Sequence, residues 1–391
     1  MGLIVEKFGG KSVADAAHVE NVAEIIHETY REGNDVVVVV SAQGDTTDRL
    51  IAKAMEINPW GSSREMDVLL SAGEQISMAL LAMALQKKEL ETISLLGWQA
   101  GFKTCSSHCN ARILGVYPVR VKSELAKKKI VIVAGFQGID SEHDITTMGR
   151  GGSDTSAVAL AAALKADECR IYTDVDGVYT VDPKICNKAF KIDEVSYDSM
   201  ISLSSMGAKV LNNRSVEVAK KYGVEVKVLS SERDHTGTLV REIGSEKFQP
   251  IKGIAVDNSL TLITLYDIKD IHKIFKDFSN ENIPVSDIWQ TGYRGETDIL
   301  INRSYALHAK KLLNSKNAKF NEEISKISVV GSGKESRFKT IEKVFDCLKE
   351  IEKKSILMNE TAISVLVPNI QMQSAVKALH DKFLKCPASL N

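Results

Sequence analysis

The sequence predicts an α/β layered domain built on a largely parallel sheet, followed by two smaller α+β units. Three observations carry this expectation. Val36 to Val40 are five consecutive valines, the mark of a strand covered on both faces by helices. Across the first 240 residues, short apolar runs alternate with longer helical patterns, the order of a parallel sheet. After the polar stretch Arg241 to Pro250, read as a linker, the elements become shorter and change rhythm.

Taken in order, Leu3 to Val5 is a strand and Ala14 to Tyr30 a helix. The valine strand follows, then helices at Thr47 to Met55 and Glu65 to Leu85. Further strands are expected at Ile130 to Ala134, Cys169 to Thr173 and Val224 to Leu229, with helices at 154–165 and 207–221. Beyond the linker, Ile254 to Val256, Leu260 to Leu265, Ile268 to Phe278 and Thr297 to Ile301 read as strand, strand, helix, strand. A similar set recurs at Ile327 to Val330, Lys339 to Glu350, Ala362 to Val367 and Gln371 to Leu384. The expected division is therefore 1–240, a linker at 241–250, and two units at roughly 254–323 and 324–391, with interleaving open.

At 391 residues the chain is long enough for two or three domains, each with its own core. A net charge of −1 excludes general attraction to nucleic acid or an anionic membrane, so any anion site is local. No run approaches the roughly 18 apolar residues of a membrane span, and the N-terminus lacks the apolar core of a secretory signal. A cytoplasmic protein is expected. The six cysteines form no disulfide framework, and Cys105-Ser106-Ser107-His108-Cys109 offers at most three zinc ligands, so reduced thiols are expected.

The most informative segment is Thr146 to Ser156, which sets Gly149, Arg150, Gly151, Gly152 and Asp154 immediately before a helical pattern. Glycines allow close backbone approach, a helix start offers free N–H groups, and Arg150 adds a planar fork for a carboxylate or phosphate. Lys7-Phe8-Gly9-Gly10-Lys11-Ser12 ends the first strand; Val5 stands where a Walker A loop needs glycine, so a P-loop is rejected. What remains is a lysine with two glycines, suited to a transferring phosphoryl or to a plain strand-to-helix turn. Ser41 and Thr46-Thr47 follow the valine strand, where α/β sheets bind ligands; Thr46 or Thr47 also suits a helix cap. Glu74, inside a helical pattern, reads by itself as a surface residue. Thr173 to Lys184 has the turn formers of a surface loop, yet carries enough hydroxyl, aromatic and lysine groups for a nucleotide. Lys209 is expected near the start of the next helix.

In their order and spacing these segments, with Gly135-Phe136-Gln137-Gly138, resemble the aspartate kinases of the amino-acid kinase superfamily. The resemblance covers nearly all of the first 240 residues, and the later units look like the two ACT domains of such kinases. It implies a three-layer α/β/α kinase domain followed by two ferredoxin-like ACT domains. It also implies transfer of the γ-phosphoryl of Mg-ATP to the β-carboxylate of L-aspartate, with ATP and Mg²⁺ as the nucleotide and metal. A carboxylate ionised at neutral pH needs no general base, so catalysis rests on positioning and charge cancellation. By resemblance Lys7, Gly9 and Gly10 stabilise the phosphoryl, Arg150 grips the substrate carboxylate, and Glu74 and Asp154 face its ammonium. Ser41 and Thr47 line the aspartate pocket, while Thr173, Asp174, Tyr179, Lys184 and Lys209 hold the nucleotide.

Lys11 stands where the family usually has threonine, and Asn212-Asn213-Arg214 replaces the usual His-Pro-Arg. The segments Asp267 to Asp270 and Gly333 to Phe338 lack the Pro-Gly pair of the family's effector loops, although Gln290 and Asn359 fall where effector contacts are expected. Lysine or threonine inhibition thus stays open beside a dimerisation role, as homodimer or dimer of dimers. Two other readings stand: a related kinase for another acidic amino acid, and a non-catalytic ACT-bearing regulatory subunit.

Overall fold

The computed structural model describes residues 2–208, 210–232, 236–244, 251–266, 270–281, 283–291, 296–313, 317–331 and 337–384. Tertiary contacts divide the chain into two compact units. One comprises Met1–Val178, Lys191–Ser204 and Lys209–Phe248; the other comprises Tyr179–Phe190, Ser205–Ala208 and Gln249–Asn391.

The first unit is built on an eight-stranded sheet. In chain order its strands are β1 (Leu3–Phe8), β2 (Asp35–Val40), β3 (Thr92–Leu95), β4 (Ile130–Ala134), β5 (Glu168–Thr173), β6 (Glu194–Ser196), β7 (Val226–Ser230) and β8 (Thr238–Arg241). In space the order is β6-β8-β7-β5-β1-β2-β4-β3, and every pairing except β7 with β8 is parallel. The valine strand lies between β1 and β4, every valine fully buried, as its uninterrupted apolar run predicts. Val36, Val38 and Val40 share a core with residues of α1 (Ala16–Arg31) and α3 (Ser63–Gln86). The alternate residue Val39 faces the other side, towards α4 (Gly152–Leu164). The remaining helices that frame the site are α2 (Thr46–Ile57) and α5 (Asn213–Tyr222).

Local chemistry sets the helix ends. Asp15 caps α1 by accepting from His18 N, after a 3-10 turn at Gly10–Val13 displaces the start from its expected place. The helix expected over 207–221 starts only at Asn213. Gly207 has a left-handed φ of 114°, and the Asn212 side chain caps the helix by accepting from Arg214 N. An additional helix, Tyr197–Ser205, precedes it. By length and composition α3 is apolar enough to cross a membrane. Its buried residues, however, include Asp67, Ser71 and Glu74, and Asp67 and Glu74 are hydrogen-bonded to loops of the same unit, so it is a core helix.

The second unit holds two four-stranded antiparallel sheets. One runs Val285–Thr291, Glu296–Asn302, Leu260–Leu265, Ala318–Asn321, with helices Ile271–Asn280 and Ala306–Leu313 in the connections, a ferredoxin-like βαββαβ arrangement. The other runs Ser355–Met358, Ala362–Pro368, Ile324–Val330, Gly253–Asp257. There Gly253–Asp257, from before the first sheet, takes the edge place that the last strand fills in its neighbour, so the two sheets are interleaved along the chain. The strands Val285–Thr291, Ala318–Asn321 and Ser355–Met358 and the helix Ala306–Leu313 are additions to the elements expected from sequence. Most of the two effector-loop segments, at 267–269 and 332–336, lies outside the described residues.

Candidate active site

Alternation along β1 places Glu6 and Lys7 on opposite faces of the sheet. Glu6 is fully buried beside α1, accepting from Thr29 Oγ1 at 2.8 Å, with Arg170 Nη1 at 3.5 Å. Lys7 faces α4 and pairs with Asp154, Nζ to Oδ1 2.7 Å. Asp154 lies in the first turn of α4, where the helix dipole favours a carboxylate. Gly9 lies directly beside the ammonium: a Cβ there would stand in ordinary contact, 3.5 Å from Lys7 Nζ. The Gly9 N–H is already committed, donating to Tyr172 O at 3.2 Å, and is not a free phosphate donor. Gly10 starts the 3-10 turn, where the first N–H groups have no helical acceptor. A Cβ there would lie 2.5 Å from Ala42 O, so only glycine fits.

The ends of β1 and β2 are tied by Ser41 N donating to Phe8 O at 3.1 Å. Thr47 is half-buried within α2, and the cap position belongs to Asp45, so neither Thr46 nor Thr47 is the cap. Glu74 is buried, contrary to the surface reading of its segment in isolation. The reason is Gly73: its hydrogen atoms let α3 approach Ala42 so closely that a Cβ would lie 2.7 Å from the alanine Cβ. Glu74 Oε1 consequently accepts from Ala42 N at 3.0 Å, while Oε2 is buried with no partner among the described residues. Burial pushes the Glu74 carboxyl up to about 7, against the lowering effect of that hydrogen bond. A buried carboxylate with one unused oxygen is a place for a ligand ammonium.

Arg150 stands between two left-handed glycines, Gly149 at φ 73° and Gly151 at φ 70°. It is exposed, and its guanidinium makes no hydrogen bond or ion pair with the described residues. Beneath this loop Phe136 adopts φ 69°, a conformation that costs a non-glycine residue about 1 kcal/mol or more. It is held by its own N–H donating to Ser156 Oγ at 3.0 Å and its carbonyl accepting from Met148 N at 2.9 Å. Sequence reasoning missed Asp67. This fully buried carboxylate accepts from Thr147 Oγ1, from Cys109 N at 3.0 Å, and pairs with His108 Nδ1 at 2.7 Å. The available signal was its spacing of seven residues before Glu74, which puts both on one face of α3.

Thr173 ends the first unit's β5 and Asp174 follows it, with Asp174 Oδ2 meeting Lys11 Nζ at 2.6 Å. Lys11 is therefore paired across to the expected nucleotide segment. Tyr179 and Lys184 belong to the second unit, and Lys209 lies outside the described residues. Asp182 makes the expected turn, its Oδ1 accepting from Lys184 N at 2.8 Å. The segment is more than a surface loop, because Val181 and Cys186 are buried in the second unit's core. Thr180 Oγ1 bonds His380 Nε2 at 3.0 Å, and Thr180 O accepts from Ile254 N at 2.7 Å.

Over its whole length the chain is similar to known proteins. Residues 2–230 match the model of the amino acid kinase family, and residues 327–383 match an ACT domain. An aspartokinase of Geobacillus stearothermophilus is 43% identical, over 98% of this chain and 97% of its own. Among solved structures, aspartokinase III of E. coli in complex with aspartate and ADP (R-state) shares the fold, with a TM-score of 0.80, 23% identity, and coverage of 98% of this chain and 100% of that one. The same enzyme with lysine and aspartate (T-state) has a TM-score of 0.75 at 24% identity, again over 98% of this chain and 100% of that one. The chain belongs to the amino acid kinase family and, within it, to the aspartokinases, which are ATP-dependent phosphotransferases.

Proposed function

We propose that the protein transfers the γ-phosphoryl group of ATP to the β-carboxylate of L-aspartate, giving 4-phospho-L-aspartate and ADP. A β-carboxylate oxygen attacks the γ-phosphorus, the bond to the β-phosphate oxygen breaks, and no proton has to move. The observation that carries this reading is the buried Lys7–Asp154 pair of 2.7 Å beside Gly9. It supplies a fixed cation where two anions must meet. Lys7 and the N–H groups at Gly10 stabilise the phosphoryl in transit, while Asp154 orients Lys7 and faces the acceptor's ammonium together with Glu74. Arg150 binds the acceptor's carboxylate, and Ser41 and Thr47 line its pocket. Thr173, Asp174, Tyr179, Lys184 and Lys209 hold the nucleotide. Mg²⁺, carried on phosphate oxygens and water, would lower the charge of the triphosphate. The observed Lys11–Asp174 pair fits a segment that meets such a charge from the protein side.

In this reading residues 1–240 are the catalytic domain, 241–250 the linker, and 251–391 tandem ACT domains for lysine or threonine control and for dimerisation. The product heads lysine, threonine and methionine synthesis. Trapping the acyl phosphate with hydroxylamine tests the activity. Hydroxamate is expected with ATP and aspartate; its absence, or a preference for glutamate, overturns the assignment. A lysine and threonine titration without effect at millimolar levels removes the regulatory part.

A further inference from the structure

We propose that Asn212 is a positioning residue that fixes Arg150 for the acceptor, an inference that rests on the reading of Arg150 as the acceptor's carboxylate clamp. The problem it solves is local. Two left-handed glycines flank Arg150, and glycine has no side chain with which to hold a loop in place. The restraint comes from α5. Asn212 Nδ2 donates to the carbonyl of Arg150 at 2.8 Å, while Asn212 Oδ1 accepts from Arg214 N at 2.9 Å and caps the helix. The two loci are 62 residues apart in sequence. Contact is tight: a Cβ on Gly151 would fall 2.3 Å from Asn212 Nδ2.

The amide performs both tasks at once, its NH2 donating while its oxygen accepts; a carboxylate would accept without donating, and a hydroxyl is too short to reach both partners. The next turn of the brace is Arg214, whose Nη1 donates to Met148 O at 3.3 Å and Nη2 to Asn110 Oδ1 at 2.7 Å. The helix behind them is anchored by buried Val216 and Ala219. Arg150 thus presents an unpaired guanidinium on a backbone that is held at its own carbonyl. Pre-setting that backbone lowers the ordering cost when a carboxylate binds.

The test is Asn212→Ser, which keeps a helix-capping oxygen and removes the donor to Arg150. We expect the KM for aspartate to rise about fivefold, in line with one lost hydrogen bond, with kcat and the KM for ATP within about twofold and Tm nearly unchanged. In an Arg150→Ala background the same substitution should add nothing to the aspartate KM. An unchanged aspartate KM in Asn212→Ser, an equal rise in the KM for ATP, or a full effect in the Arg150→Ala background overturns the positioning role. Arg150→Ala measured alone separates the two readings. If it leaves the aspartate KM unchanged, the carboxylate assignment fails and takes this inference with it; if it raises the KM while Asn212→Ser does not, only the positioning role fails.

Discussion

Lys7 on β1 and Asp154 on α4 form an ion pair of 2.7 Å whose side chains are only 10% and 12% exposed. A charge so placed is held by its partner, so the two residues should fail differently. Lys7→Ala removes the cation and is expected to lower kcat about a hundredfold or more, with little change in either KM. Either substitution strands the partner's buried charge and is expected to cost about 3–5 kcal/mol of stability, but Asp154→Ala also loses the acceptor's ammonium contact and is expected to raise the KM for aspartate. Steady-state kinetics and denaturant unfolding of the two variants check this; a raised KM for aspartate in Lys7→Ala with an unchanged one in Asp154→Ala would refute the division of roles.

Glu74 connects burial to substrate affinity. Its carboxyl is pushed up to about 7 by desolvation, and it pairs with an ammonium only when ionised. The KM for aspartate should therefore rise as pH falls below about 7, and Glu74→Gln should raise the KM and flatten that dependence. A Glu74→Gln enzyme with the wild-type pH profile of KM would exclude the ammonium contact.

Glu6 is expected to act on stability alone. It is fully buried, and burial pushes its carboxyl from the usual 4.5 up to about 7 despite Thr29 and Arg170. A raised acid binds its proton more tightly in the folded state. The stabilisation is thus fully present below pH 4.5 and is lost as pH rises to about 7. At about 1.4 kcal/mol per pH unit this amounts to about 3 kcal/mol across the window. Urea unfolding of wild type and Glu6→Gln from pH 5 to 8 should show their stability difference shifting in favour of the variant as pH rises. A constant difference would contradict the assignment.

Gly151→Ala probes the loop directly. The position has φ 70°, and the added Cβ would fall 2.3 Å from Asn212 Nδ2 and 2.6 Å from Asn212 Cβ. A left-handed alanine by itself costs about 1 kcal/mol, and displacing Asn212 adds to it. The expected result is a lower Tm together with a raised KM for aspartate. A fully active, fully stable variant would show that the loop has another accessible conformation.

Much of this molecule was legible before its structure. Five valines in a row can only be satisfied between two helical layers, and β2 lies there. The strand Ile130–Ala134 coincides with its apolar run, and α4 begins at Gly152, the last glycine before its apolar pattern. Periodicity was weaker where one residue overrides it. Gly207 and Asn212 displaced the start of α5 by six residues, from 207 to Asn213, because a left-handed glycine and a cap are single-residue signals inside an apolar pattern.

The sequence by itself determined the fold class and the short segments that carry chemistry, because periodicity, turn chemistry and glycine placement act between near neighbours in the chain. Only the tertiary structure decided which segments meet. It buries Glu74 against Ala42, pairs Lys7 with Asp154, sets Asn212 against the Arg150 carbonyl and makes Asp67 the anchor of Thr147. It also places Gly253–Asp257 beside Ile324–Val330 and packs Val181 and Cys186 into the second unit's core. The physical reason is common to all of these. Each is a contact between residues far apart in the chain, and it forms only once sheet order and helix packing have brought the two segments together.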